Sequence, residues 1–233
     1  MQWLTIPDQR QIKLRILQVA TTFPISESDP QPRFIRDLCD SLVKADDVDL
    51  KVLVPSSSDK ASVLEDSGYE VSRFRYFLNK GEILAYRNGI LANLKSNKWA
   101  WLLVPFFMIG MYVGVIKEIR KFKPDIIHAH WWFPVGLAVY LAIISCRASA
   151  RCRIVVTCHG ADYYVVGKKL KRMMRWVFSK AKAVLFVSNA MRQDAEQECT
   201  SSVFAVSPMG VDMDNLFVEK PLPRSGVLFV GRL

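Results

Sequence analysis

A rhythm constrains this chain more than any single residue. Short runs rich in Val, Ile and Leu return along its length, most of them followed by a segment with helical spacing. Leu14–Ala20, Asp49–Pro55, Pro124–His130, Arg153–Cys158, Ala183–Val187 and Ser202–Val206 are such runs, and Tyr69–Phe77 contains a shorter one. Several are almost continuously apolar rather than alternating, the pattern of strands buried on both faces. After the first run, Phe34, Ile35, Leu38, Leu42 and Val43 recur at helical spacing, so Arg33–Ala45 is expected to be an amphipathic helix. Gly81–Lys95, Val135–Cys146 and Lys168–Lys182 are also read as helices, and Ser188 or Asn189 can cap another. Strand, helix and strand in this order imply a parallel sheet with right-handed crossovers. The expected fold class is therefore α/β, a Rossmann-like doubly wound parallel sheet.

The same rhythm sets the domain reading. Residues 1–13 form a polar lead-in and 14–212 one Rossmann-like domain closing on the turn Ser207–Asp212. Residues 213–225, with Pro221 and Pro223, read as a linker. Gly226–Leu233 starts a new buried strand, the first of a second domain that is cut short. Hydrophobic residues make up 51% of the chain, ample for a core and incompatible with disorder. The net charge of +10 favours anionic partners: nucleic acid, an acidic membrane surface or phosphate-bearing substrates. Cys39, Cys146, Cys152, Cys158 and Cys199 are odd in number and show no CxxC spacing, which fits reduced thiols in the cytosol. The N-terminus lacks the order of a signal peptide.

Trp99–Ile116 is an uncharged run of 18 residues, long enough for a membrane span. The alternative is a buried or interfacial helix. Runs on both sides of it must share one sheet, and a true span would put them across a bilayer from each other. That favours the buried or interfacial reading. Lys117, Arg120, Lys121 and Lys123 follow, suited to anionic headgroups or to a helix C-terminus. The run Lys168, Lys169, Lys171, Arg172 and Arg175, interleaved with Met173, Met174, Trp176 and Phe178, is either a solvated helix face or a second place to dock on an anionic bilayer. A basic aromatic surface also suggests RNA, but no RNP-like motif supports it.

The fifth run ends in His159, Gly160 and Asp162. Ligands of open α/β sheets bind at the carboxyl ends of strands, so this imidazole and carboxylate are either a site or a polar turn. His128 and His130 point to one face of their strand; a third zinc ligand is not evident, and no metal is expected. His130 is placed at the cleft, and Trp131, Trp132 and Phe133 either stack on a sugar or pack between strand and helix. The chain carries no GxGxxG after its first strand and no GxxxxGK[ST], which removes the ordinary dinucleotide and P-loop readings.

Five motifs in order carry a resemblance: Ile126–His130, Val155–Asp162, Ala183–Ser188, Pro208–Asp212 and Phe229–Leu233. Together they resemble the GT-B glycosyltransferases of family 4, in detail their N-terminal, acceptor-side domain. The resemblance implies retaining transfer of a sugar from a nucleotide-sugar without a metal or other cofactor, in a cleft between two Rossmann-like domains. It places catalytic roles on His159 and Asp162; acceptor contacts are expected of His130, Trp131, Trp132 and Phe133 from their place at the end of their strand. Donor contacts fall to Arg232, whose guanidinium would hold the diphosphate, and to Thr22, Phe23 and Arg33 around the first loop. That loop departs from many members in having no glycine between Thr21 and Arg33. The expected function is transfer to a glycan or lipid-linked acceptor in cell-surface polysaccharide or glycolipid synthesis. The expected location is the cytoplasm, peripheral on the inner face of the plasma membrane, with this length inactive alone. The rival is a non-catalytic glycan- or lipid-binding module acting with a partner chain.

Overall fold

The computed structural model describes residues 13–26, 29, 33–57, 68–86, 89–199 and 203–210. The expected lead-in, linker and final strand, with Arg232, lie outside the described residues. In chain order the elements are β1 (Leu14–Val19), α1 (Phe34–Leu42), β2 (Val48–Pro55), β3 (Glu70–Phe74), α2 (Ile90–Ser96), α3 (Leu103–Lys121), β4 (Ile126–His130), α4 (Leu137–Ser145), β5 (Arg153–Cys158), α5 (Lys171–Lys180), β6 (Ala183–Phe186), α6 (Asn189–Glu198) and β7 (Val203–Val206). The seven strands form one sheet in the order β3-β2-β1-β4-β5-β6-β7. Every pairing is parallel. The fold class read from the apolar rhythm is the one found.

Each strand supplies two faces to two different cores. On one face Ile16, Ala20, Leu50, Val52 and Val54 pack with Phe23 and with Ile35 and Cys39 of α1. On the other, Leu17, Val19, Ile127, Ala129, Val156 and Cys158 meet buried residues of α3 to α6. Ser188 caps α6, its Oγ accepting from the backbone N–H of Met191 at 3.3 Å.

The segment Gly81–Lys95 is not the single helix its composition suggests. Helix is confined to Ile90–Ser96, after a short turn at Asn79–Gly81. Buried side chains replace the helical bonds between them. Glu82 Oε1 accepts from the N–H of Tyr76 at 3.0 Å. Asn93 Nδ2 donates to the carbonyls of Leu84 (2.9 Å) and Tyr86 (2.8 Å).

The long apolar run becomes a 3₁₀ turn at Lys98–Leu102 and then α3. Phe107, Met111, Val115, Glu118 and Ile119 form its buried stripe. Gly110 lies so close to the chain beyond β3 that a Cβ there would meet the Arg75 carbonyl oxygen at 2.5 Å. An ion pair fastens the helix to the sheet: Lys51 Nζ of β2 sits 2.8 Å from Glu118 and 2.9 Å from Glu70. The strands before and after α3 are members of one sheet, so this helix does not cross a bilayer.

Candidate functional site at the switch point of the sheet

β1 and β4 are neighbours although two strands separate them in sequence, and the chain winds outward from them in both directions. The carboxyl ends of strands at such a reversal are the usual place for a ligand in open α/β sheets. Register puts Gln18 beside His128, His128 beside Val155, and His130 beside Thr157. Gln18, His128, His130 and Thr157 therefore share one face of the three central strands, and His159 continues that face past the end of β5.

These side chains are joined. His128 Nε2 lies 2.7 Å from Thr157 Oγ1. His130 Nε2 lies 2.9 Å from Gln18 Oε1, and His130 Nδ1 lies 3.1 Å from His159 Nε2. Burial drives the imidazoles toward their neutral forms: His128 and His159 are each lowered to about 4, and His130 well below its ordinary value. Neutrality fixes the direction of the chain of bonds. With the Gln18 carbonyl turned to His130 and its amide nitrogen buried without a partner, His130 Nε2–H donates to Gln18 Oε1 and His130 Nδ1 accepts. His159 Nε2–H is the donor, which leaves His159 Nδ1 with a lone pair. That nitrogen is buried and has no protein partner. Phe34 and Trp131 flank its ring, with centroids at 5.0 and 4.8 Å. A buried acceptor without a donor is costly unless a ligand supplies one.

Asp162 does something other than sequence suggested. It is 3% exposed and does not project toward an opening beside His159. Its Oδ1 accepts from the backbone N–H groups of His159 (3.0 Å) and Gly160 (3.1 Å), and its Oδ2 from that of Trp132 (3.2 Å). The indole Nε1–H of Trp132 in turn donates to the Asp162 carbonyl at 2.8 Å. One carboxylate thus holds the turn after β4 against the turn after β5. Gly160 allows the second turn, having φ +112°. Trp131 adopts φ +72° without being glycine, a conformation costing roughly 1–3 kcal/mol. Its N–H donates to the Thr157 carbonyl at 2.8 Å, and its own carbonyl accepts from Gly136 N–H at 3.1 Å, which holds it there.

The other expected residues divide. Trp131 flanks the imidazole and Phe133 is half-buried, but Trp132 is fully buried and has no free face for a sugar. Phe23 is equally buried, packed in the α1 core rather than facing a donor. His130, expected at the cleft, is the core histidine at 1% exposure, whereas His128 is the partly exposed one. Thr22 is half-buried, and Arg33 sits at the start of α1 with Nε 3.6 Å from Asp37 Oδ1. Three members of the cluster were not singled out in sequence: Gln18, Thr157 and Phe34. Gln18 carries a usable signal, a lone amide in an otherwise apolar stretch of strand. Among the described residues no group of three or more His, Cys, Asp or Glu is placed to hold a metal ion. Described cavities of about 640 and 330 Å³ lie along α3 and between the ends of α3 and α4, away from the cluster.

Comparison with known proteins agrees with this architecture. The sequence profile of Glycosyltransferase Family 4 matches residues 31–215. No curated protein matches in sequence. Among solved structures, a sucrose-phosphate synthase piece from Thermosynechococcus elongatus superposes with TM-score 0.53 at 12% identity, covering 85% of this chain and 90% of that one. The N-terminal domain of Candida albicans trehalose-6-phosphate phosphatase gives 0.61 at 14% identity, covering 88% of this chain and 50% of that one. Anabaena Alr3699/HepE, solved with UDP and glucose, gives 0.50 at 16% identity over 89% of this chain and 47% of that one. The chain spans about half the length of the last two.

Proposed function

This chain belongs to Glycosyltransferase Family 4, and from that premise we propose that it is the acceptor-side domain of a retaining glycosyltransferase. In this reading a sugar moves from a nucleotide-sugar, without a metal, to a glycan or lipid-linked acceptor of cell-surface polysaccharide or glycolipid synthesis. The enzyme works in the cytoplasm, in peripheral contact with an anionic membrane. The observation that carries the reading is the unpartnered Nδ1 of His159, a neutral acceptor at the end of β5 beside the switch point. A hydroxyl of the transferred sugar would complete it, and fixing that hydroxyl fixes the reacting carbon. Gln18 and His130 act through His159, setting which of its nitrogens carries the proton. Asp162 is assigned a positioning role, because backbone N–H groups occupy its carboxylate. Arg33 and Thr22 border the first loop on the donor side, and Arg232 belongs to the donor half.

The 233 residues alone are proposed to be inactive; Anabaena Alr3699/HepE, solved with UDP and glucose, is about twice as long. Transfer or hydrolysis of a nucleotide-sugar by these residues by themselves would refute that. In a protein carrying both halves, His159→Ala is expected to lower kcat at least about a hundredfold while leaving the circular dichroism melt unchanged. Wild-type turnover in that variant would remove His159 from the site. One observation favours the rival, a non-catalytic glycan- or lipid-binding module: the acid next to His159 is not free. Glycan binding without donor turnover in the two-halved protein would establish it.

A further inference from the structure

Helix α3 has a second face with no use inside the fold. Within Lys98–Lys121 a window of mean hydropathy 1.9 is only 22% buried. Leu102 (61% exposed), Phe106, Ile109 and Val113 repeat at helical spacing along the outward side of α3. Trp99 (77%) and Trp101 (60%) stand on the turn before it. Leu78 is exposed too, and Phe77 joins the stripe through an edge contact with Phe106, centroids 5.6 Å apart. A contiguous apolar surface of this kind on a folded domain marks an interaction site.

Its charge says with what. Between residues 75 and 117 the sequence holds six Lys or Arg and one acidic residue, Glu82. Glu82 is buried at 2% exposure and turned to the chain beyond β3. Lys80, Lys95, Lys98 and Lys117 are exposed around the apolar stripe. A hollow of about 640 Å³ beside it has Phe106, Ile109 and Val113 in its wall, with Arg75 and Lys117 also lining it. Among the described residues the rim's exposed cations outnumber its one exposed acid, Glu70, itself paired with Lys51. Exposed tryptophans, an apolar stripe and this rim match the boundary of an anionic bilayer, where rings sit among headgroups and cations meet phosphate.

We propose that the outer face of α3 with the Lys98–Leu102 turn is an in-plane docking surface for an anionic lipid membrane. The helix lies on the bilayer and does not span it, because its other face is the sheet's own core. As a crossover from β3 it begins at the end of the sheet where the strands finish. Its first turn lies at the end of the sheet where β5 leads to His159, on the face of the sheet opposite the histidines. The basic helix α5 is the poorer surface. Its Met174 and Phe178 are core residues, Trp176 packs edge-on against Tyr140 at 4.7 Å, and Lys171 is paired with Glu198 at 2.9 Å.

The inference rests on the proposed function only for the presence of a membrane, and its test involves no sugar transfer. The 233-residue chain is sedimented with vesicles of phosphatidylcholine alone or containing one-third phosphatidylglycerol, with tryptophan emission recorded. Binding to the anionic vesicles with a blue shift is expected. Replacing Trp99, Trp101 and Leu102 together by Ser should weaken it at least about tenfold. Lys95→Glu with Lys98→Glu and Lys117→Glu should weaken it similarly and abolish the preference for the anionic lipid. All six side chains are exposed, and circular dichroism checks that the fold is kept. Lys168→Glu with Lys169→Glu and Arg172→Glu, just before and within α5, should change nothing. Absence of vesicle binding, undiminished binding by either α3 variant, or loss through the other helix would each overturn the proposal. So would a dimer in sedimentation velocity that the serine variant dissolves, since the face would then join two copies of this chain. Failure here leaves the transferase reading standing, and failure of donor turnover leaves this one standing.

Discussion

The two faces of β1, β4 and β5 carry different kinds of chemistry although the same residues, taken alternately, build both. One face is hydrocarbon throughout: Leu17, Val19, Ile127, Ala129, Val156 and Cys158. The other bears Gln18, His128, His130, Thr157 and then His159, linked by bonds of 2.7 to 3.1 Å. A sheet core gains nothing in stability from buried imidazoles, which must be desolvated and then satisfied pair by pair. The polar face is therefore the part of the core shaped by something other than folding. Two of its atoms are buried without a partner, Gln18 Nε2 and His159 Nδ1, and the second lies past the end of β5.

Acid should separate the faces most strongly. In the unfolded chain histidine protonates near its ordinary value of about 6.5, but in the folded chain His128 and His159 do so only near 4. Between those values the unfolded state binds more protons, so stability falls as pH drops from about 6.5 to about 4, and His130, also held neutral, adds to the fall. Urea midpoints across that range should show a decline exceeding any single substitution below, and smaller in His159→Phe. A flat profile would mean that the polar face is hydrated. Ile127→Ala on the hydrocarbon face should cost about 2–5 kcal/mol in the same assay with no change in histidine titration. Gln18→Leu on the polar face should cost about 1–3 kcal/mol by stranding His130 Nε2, and Gln18→Leu with His130→Leu should recover part of it, since His159 Nε2–H then loses its acceptor. A double variant worse than the single would break the idea that this face is dispensable for folding. Away from both faces, Ser188→Ala removes only the α6 cap and should cost about 1 kcal/mol.

Much of this was legible in sequence, and the exceptions share a cause. Strand runs announce themselves because burial on both faces leaves no alternation to confuse them. His159 could be placed at a strand end from its neighbour Gly160 alone. Direction was not legible: whether Asp162 turns outward or back onto three backbone N–H groups depends on where β4 ends, a contact 30 residues away in sequence. Trp132 and Phe23 face inward for the same kind of reason, contacts distant in sequence. An aromatic beside a site looks identical in sequence whether it faces the site or the core beneath it. Gln18 and His130 meet across 112 positions, so only the strand order reveals them as partners.

The Asp162 carboxylate, gripping both turns at once, has one more effect. A hinge in either turn would have to break bonds belonging to the other, so the rim above β4 and β5 can shift only as a single piece. Anything that settles against Trp131 must therefore displace or steady the His159 imidazole as well.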